Sequence, residues 1–406
     1  MAHTDILVIG GGLAALCAAI TARRAGATVR LAEASPRSLR GGNTRHSRNL
    51  RIRHDAPGPP PEPLFRLTYP AADFLADLHT ANAGAGNPQL CHVLVDRSAE
   101  LPEWLAAQGV VFQTRDIPPS RKTAFLLGGG MAALNALYAT AEALGVEILY
   151  DHPIPSLLLH DLPASAVIVC CGGHQADLRH GLINRGTPFA SGTMLHSLLA
   201  QGVAAVGQDG AAHLVAVDAR SPDHDGGIVT RVDGMCHGMV VDGAGNRFQD
   251  ECSVVGQNRY AVWGHLIAAL PDRQATLIVD ADGHTAMPLS AFPPLSAPSL
   301  PALAALLRLD HDALARSATE CRRVRQPPFF AYPLRPGITF TCLGVHVDHT
   351  TRLIMQDGSR CDTLFAAGMI MAPNVLGTGY LAGGGMTIGA VFGRIAGEEA
   401  ARHVLA

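Results

Sequence analysis

Near the amino terminus, Gly10-x-Gly12-x-x-Ala15 stands between an apolar run, Asp5 to Ile9, and an alanine-rich stretch that starts at Leu13. In this pattern the first glycine permits a tight turn. The second lets a pyrophosphate approach the backbone, and the small third residue lets a helix pack on a strand. The N–H groups that open such a helix are unpaired and carry partial positive charge, which suits phosphate. Glu33 closes the next apolar run, Thr28 to Ala32. A carboxylate there accepts hydrogen bonds from ribose hydroxyls and repels a 2′-phosphate. The chemistry indicated is the holding of a dinucleotide, and the fingerprint alone does not separate FAD from NAD.

The elements that must position these residues follow from the pattern. Asp5 to Ile9 reads as a buried parallel strand, Leu13 to Ala25 as a helix and Thr28 to Ala32 as the second strand of a β-α-β unit. A proline cluster at Pro57 to Pro63 reads as a stiff connector. Residues 64–109 read as mainly helical, Met131 to Leu144 as a further helix, and Val146 to Tyr150 and Ala166 to Cys171 as strands, the last meeting Gly172. Gly128-Gly129-Gly130 lacks the Gly-Lys-Ser/Thr of a phosphate loop and is not one. From about Asn184 to Arg325 apolar runs weaken and polar turns multiply, as in an inserted substrate domain. From Gln326 strand, glycine turn and helix return: Leu364 to Gly368, then Gly383-Gly384-Gly385 opening a helix from Met386 to Val404.

At 406 residues the chain exceeds the size one core usually supports, so two domains are expected. A 48% hydrophobic, 16% charged composition is that of a globular chain. The formal net charge of -3 offers no basic excess for nucleic acid. The 9 cysteines form no CxxC or zinc spacing and read as reduced thiols of a cytoplasmic protein, Cys170 and Cys171 as buried structural residues. His174 and His196 read as core or surface residues rather than ligands, and no spacing suggests a metal. With no basic leader and no apolar run of about 18 residues, a membrane is reached only through a partner.

The carboxy-terminal Leu-Phe-Ala-Ala-Gly and the helix carrying Phe392 to Gly397 are similar to the flavin-contacting end of two-dinucleotide-binding-domain flavoproteins. Other segments widen the likeness: Gly41 to His46, Arg51 to Asp55, Asn184 to Pro188, Gly226 to Arg231 and Asn246 to Glu251. It continues through Asn258 to Gly264, Pro336 to Thr341 and Gly377 to Gly383. Through these the chain resembles the fumarate reductase/succinate dehydrogenase flavoproteins, and most of all their tricarballylate dehydrogenase branch.

The resemblance implies an α/β Rossmann-like FAD-binding domain at 1–185 and 326–406 with an α+β capping domain at 186–325. It implies FAD held non-covalently by Gly10, Gly12, Ala15, Glu33, Gly41, Gly42, Asn43, Thr44, Gly172, Gly368, Gly385, Met386 and Thr387. The active site is expected where cap meets flavin. The implied reaction is oxidation of a CH–CH bond beside a carboxylate, with hydride going to flavin N5 and a proton to an arginine. That arginine corresponds to Arg259, and its relay carboxylate to Glu251. Arginine is an odd base, with a pKa above about 12. Tyr380 stands where fumarate reductases carry a carboxylate-clamping arginine, and Thr339 or Phe340 where they carry a histidine. Met369 replaces a usual glutamate. Arg45, His46, Arg185, Arg231, Thr339 and Thr341 are the expected ligands of a small carboxylic-acid substrate. Arg45 and His46 lie in a basic run that also includes Arg48, Arg51, Arg53 and His54, and that run reads equally as a solvated loop. A fumarate-reductase-like C=C reductase and a flavin-bound electron-transfer subunit are the alternatives. A separate iron–sulfur or membrane protein is the expected electron acceptor.

Overall fold

The computed structural model describes residues 4–58, 62–176, 181–254 and 259–406. Part of the proline cluster and Asn258 therefore lie outside the described residues. The chain first forms β1 (Ile6–Ile9), α1 (Leu13–Arg24), β2 (Val29–Ala32) and β3 (Asn49–Arg51). Next come α2 (Ala71–Ala81), α3 (Pro88–Ser98), α4 (Leu101–Ala106), β4 (Thr123–Phe125), α5 (Gly129–Ala143), β5 (Glu147–Leu149) and β6 (Ala166–Val169). The middle holds β7 (Ile183–Asn184), α6 (Thr193–Ala200), β8 (Ala205–Asp218), β9 (Met239–Asp242), α7 (Arg259–Ala268), β10 (Ala275–Val279), α8 (Ala281–Ala286) and β11 (Leu295–Ala297). The end is α9 (Leu300–Leu307), α10 (His311–Cys321), β12 (Phe329–Val345), β13 (Arg352–Ile354), β14 (Arg360–Ala366), α11 (Pro373–Leu376) and α12 (Gly384–Leu405).

Two compact units emerge: 1–177, 189–212 and 340–406 in the first, 178–188 and 213–339 in the second. The breaks fall away from 185/186 and 325/326 because β8 and β12 each run through a unit boundary.

The first unit is built on a six-stranded sheet of order β13-β14-β6-β1-β2-β5. All neighbours are parallel except β13 on β14. Strands β1 and β6 are buried at all four positions, as their unbroken apolar runs require. β6 ends at Val169, two residues earlier than its apolar run, so Cys170 and Cys171 belong to the following loop. Both thiols are free, and burial pushes them up, to about 12 for Cys171. Helix α1 is mostly alanine on its packed side, which lets α12 come close. A Cβ on Gly393 would lie 2.4 Å from the Ala14 carbonyl oxygen, and one on Gly397 2.4 Å from that of Ala18.

The second unit carries the order β11-β12-β10-β9, with β7 and β8 also pairing β12. Along β10 the side chains alternate between two cores. Leu277 and Val279 join Trp263 and Ile267 of α7, while Ile278 joins Leu303 of α9 and Leu314 of α10. The weak-looking insertion is thus a sheet buried on both faces. Among the described residues no helix is long and apolar enough to cross a membrane.

Candidate functional site

In the first unit the dinucleotide turn lies at the carboxyl end of β1. Gly10 has φ +112, and a Cβ there would lie 2.5 Å from the Cys170 carbonyl oxygen, so only glycine fits. Gly12 caps α1, and its Cβ position opens onto nothing closer than Thr44 Oγ1 at 3.4 Å and Gly41 O at 3.5 Å. Leu13 N donates to Thr44 Oγ1 at 3.0 Å, which holds the Gly42–His46 turn over the helix start. Ala15 is fully buried. A Cβ on Gly42 would meet nothing within 4 Å. These bare, outward-facing backbone positions at a helix N-terminus form a cradle that fits a pyrophosphate.

Glu33 is buried at the end of β2 and accepts the Ser35 N–H at 2.8 Å. Burial raises its pKa above the ordinary glutamate value, opposed by bonds from Ser35 and the backbone of Gly41 and Gly11. Ribose hydroxyls need its ionised form as acceptor. FAD affinity should therefore fall as pH drops through the raised free-state value, by up to about tenfold per unit. Glu33→Gln should flatten that slope, as titrated by flavin fluorescence. In the empty protein the sign is opposite. A raised folded-state pKa gives stability that is present below the unfolded value and lost as pH rises through the folded one.

The other end of the cradle is α12. Its cap, Gly383, has φ +80, and Gly385 faces Met369 Sδ. The Thr387 hydroxyl is engaged with β3: Arg51 N donates to it at 2.9 Å, and it lies 2.7 Å from Arg51 O. Met386 is buried, while Gly172 and Gly368 each turn the chain at positive φ beyond β6 and β14. Asn43 and Thr44 lie in the turn that packs on α5.

The basic run after that turn is largely committed to the fold. Arg51 is buried and donates to Tyr69 Oη and Asp77, each at 2.8 Å. Arg53 pairs with Asp55 and Asp96, Arg48 lies over Phe125, and His54 stacks on Phe65. Arg45 donates to the Leu39 carbonyl at 3.0 Å, and His46 ends the same short helix. In the same unit Thr341 Oγ1 accepts the His174 N–H at 3.0 Å and lies 3.0 Å from His174 Nδ1. His174 is thus a buried partner of a candidate substrate ligand. Tyr380, half-buried, has its ring 6.3 Å from that of Phe340.

In the second unit the expected pairing of Arg259 with Glu251 is not made. Glu251 is wholly buried, accepts Arg247 Nη2 at 2.6 Å and the Val240 N–H at 2.8 Å, and strengthens the protonation of Arg247. Arg259 instead donates through Nε and Nη2 to Asp233 Oδ1 and Oδ2, both at 3.1 Å. The four-residue spacing from Arg247 to Glu251 closes a local pair before Arg259 can compete. Arg185 donates to Thr339 Oγ1 at 2.6 Å and Gly227 O at 3.1 Å. Arg231 lies 4.2 Å over the Tyr260 ring. His213, which the sequence does not single out, is buried with these groups. Burial first, then the charges of Arg185, His265 and Arg231, hold its pKa well below the usual histidine value.

A parallel sheet with a glycine cradle at its carboxyl edge defines a dinucleotide-binding protein, and the family it matches makes it an FAD-dependent oxidoreductase. The chain belongs to the FAD binding domain family, which matches residues 5–179 and 161–387. It is 23% identical to a probable fumarate reductase, Ifc3, of Shewanella frigidimarina (strain NCIMB 400), over 99% of this chain and 75% of the relative. It is 22% identical to an NADH:fumarate oxidoreductase of Klebsiella pneumoniae (strain 342), over 98% of this chain and 48% of that one. Its fold is shared with an open-conformation flavocytochrome c3 fumarate reductase (TM-score 0.78, 19% identity, 100% of this chain and 79% of the other). It is shared equally with a 3-ketosteroid delta1-dehydrogenase from Sterolibacterium denitrificans (TM-score 0.79, 15% identity, 99% and 100% coverage).

Proposed function

We propose that this flavoprotein oxidises a CH–CH bond next to a carboxylate in a small polycarboxylic acid of the tricarballylate kind, with FAD held non-covalently. The observation that carries the reading is the second unit's cationic set. The charges of Arg185 and Arg231 act on a buried His213, an environment that attracts an anion and suits a neutral substrate poorly. FAD, when bound, supplies the acceptor for a hydride.

The side chains then divide the remaining work. Arg185, anchored on Thr339 and Gly227, brings a planar guanidinium whose geometry matches a carboxylate. Arg231, over the Tyr260 ring, adds a second such group. His213, held neutral, orients without adding charge. Arg259 handles the proton at the carbon next to the one losing hydride. Tyr380 and Thr341 are hydroxyl ligands, with Arg45 and His46 as further anion ligands. Electrons leave by a separate iron–sulfur or membrane acceptor protein.

The fumarate reductase names of the two relatives favour a second reading, reduction of an activated C=C by the same groups in reverse. Anaerobic mixing separates the two. Bleaching of the flavin by tricarballylate is the expected result. Reoxidation of dithionite-reduced protein by fumarate, with no bleaching by tricarballylate, would move the assignment to the reductase. A flavin spectrum untouched by any di- or tricarboxylate would end both.

A further inference from the structure

We propose that the Arg51–Asp77–Lys122 cluster of the first unit raises the reduction potential of the bound FAD. Asp77 Oδ2 is its hub, accepting Arg51 Nη1 at 2.8 Å, Tyr69 Oη at 2.6 Å and Lys122 Nζ at 2.9 Å. Burial works against the Asp77 carboxylate, yet Lys122, Tyr69 and Arg51 together hold its pKa below the ordinary value. Burial pushes the Tyr69 phenol up, so it stays neutral. Two cations therefore share one carboxylate, and a single positive charge is left over.

The surplus lies against the first turn of α12. Arg51 is buried, its backbone N–H donates to Thr387 Oγ1 at 2.9 Å, and its Nε donates to Ala382 O at 3.0 Å. A Cβ on Gly383 would lie 2.7 Å from Arg51 N. Gly385, Met386 and Thr387 of that turn are the ligands expected at the flavin end of the cradle. Nothing in the turn offsets the charge: it carries no acidic residue, and the side chain facing Gly385 is the uncharged Met369. The unpaired N–H groups of the helix start add partial charge of the same sign. A hydride brings two electrons and one proton, so the flavin gains one negative charge on reduction. A fixed positive charge nearby favours the reduced state, and Arg51, with its side chain 4% exposed, is little screened. The cluster thus makes FAD a stronger oxidant, which favours removal of hydrogen from a CH–CH bond. It acts on FAD whatever the acid, and does not rest on tricarballylate as the substrate.

The test is the midpoint potential of the FAD-loaded protein, measured against mediator dyes at low ionic strength with no acid present. Lys122→Met removes a cation and should lower the potential by about 15 to 30 mV, roughly a three- to tenfold shift in a two-electron equilibrium. Lys122→Arg should keep the wild-type value. Asp77→Asn removes the carboxylate and should move the potential upward by a similar amount. Opposite signs are the mark of charge, whereas a merely structural role would move both variants the same way and release FAD. At about 1 M salt the Lys122→Met difference should shrink, because the Lys122 side chain is 40% exposed. An unchanged potential in Lys122→Met at low salt, or a fall in Asp77→Asn, overturns the proposal. If Asp77→Asn does not fold, the two Lys122 variants decide alone. Wild-type protein that tricarballylate does not bleach would count against the dehydrogenase reading and leave this measurement intact.

Discussion

Gly12→Val is expected to give a folded but colourless protein. Gly12 sits at φ -77, ψ -175, an extended conformation open to any residue, so the substitution imposes no backbone strain. A Cβ there makes ordinary contacts with Thr44 Oγ1 and Gly41 O. The two further methyl groups of valine extend into the cradle and occupy the phosphate path. FAD content after desalting should fall below about a tenth of wild type, with Gly12→Ala in between. The thermal midpoint of the empty protein should barely change. Gly10→Ala makes the contrast. It places a Cβ 2.5 Å from the Cys170 carbonyl oxygen at positive φ, so it should damage the fold itself. A Gly12→Val protein with full flavin content would remove the cradle from consideration.

Arg259→Ala carries the other large effect. It should lower the rate of flavin reduction at saturating acid by about 10²- to 10⁴-fold, the usual loss when a general acid or base is deleted. FAD should remain bound, because all the cradle residues lie in the first unit. Folding stability should change little, since the Arg259–Asp233 pair is partly exposed and such pairs contribute at most about 1 kcal/mol. Lysine should rescue poorly: it has a point charge and no planar fork to engage both Asp233 oxygens. Near-normal reduction by Arg259→Ala would give the proton to another group, and Tyr380 is the next candidate.

The nucleotide half of the fold was legible because its signals are local. Gly10, Gly12 and Glu33 sit at strand ends that short apolar runs already mark, and at Gly10 glycine is a backbone requirement. Charge partners were not legible. A basic run shows its cations and hides their counter-ions. Arg51 finds Asp77 26 positions away, and Arg53 finds Asp96 43 positions away. The same distance effect pairs Arg259 with Asp233, 26 positions before it, rather than with Glu251. His213 carries no signal in its own neighbourhood, since its meaning arises only when β8 brings it beside Arg185 and Arg231.

The close seat of Gly393 and Gly397 on the Ala14 and Ala18 carbonyls sets a timetable for each new chain. The fingerprint helix leaves the ribosome long before the helix that covers it, with about 360 residues between the end of α1 and the start of α12. At roughly 5–20 residues per second, that is a wait of about 20 to 70 s. Through it, the β1–α1 unit is without its main packing partner and without the strand β14 that flanks β6. Cofactor capture is therefore a late event, and translation products that stop before α12 should emerge flavin-free and prone to aggregate.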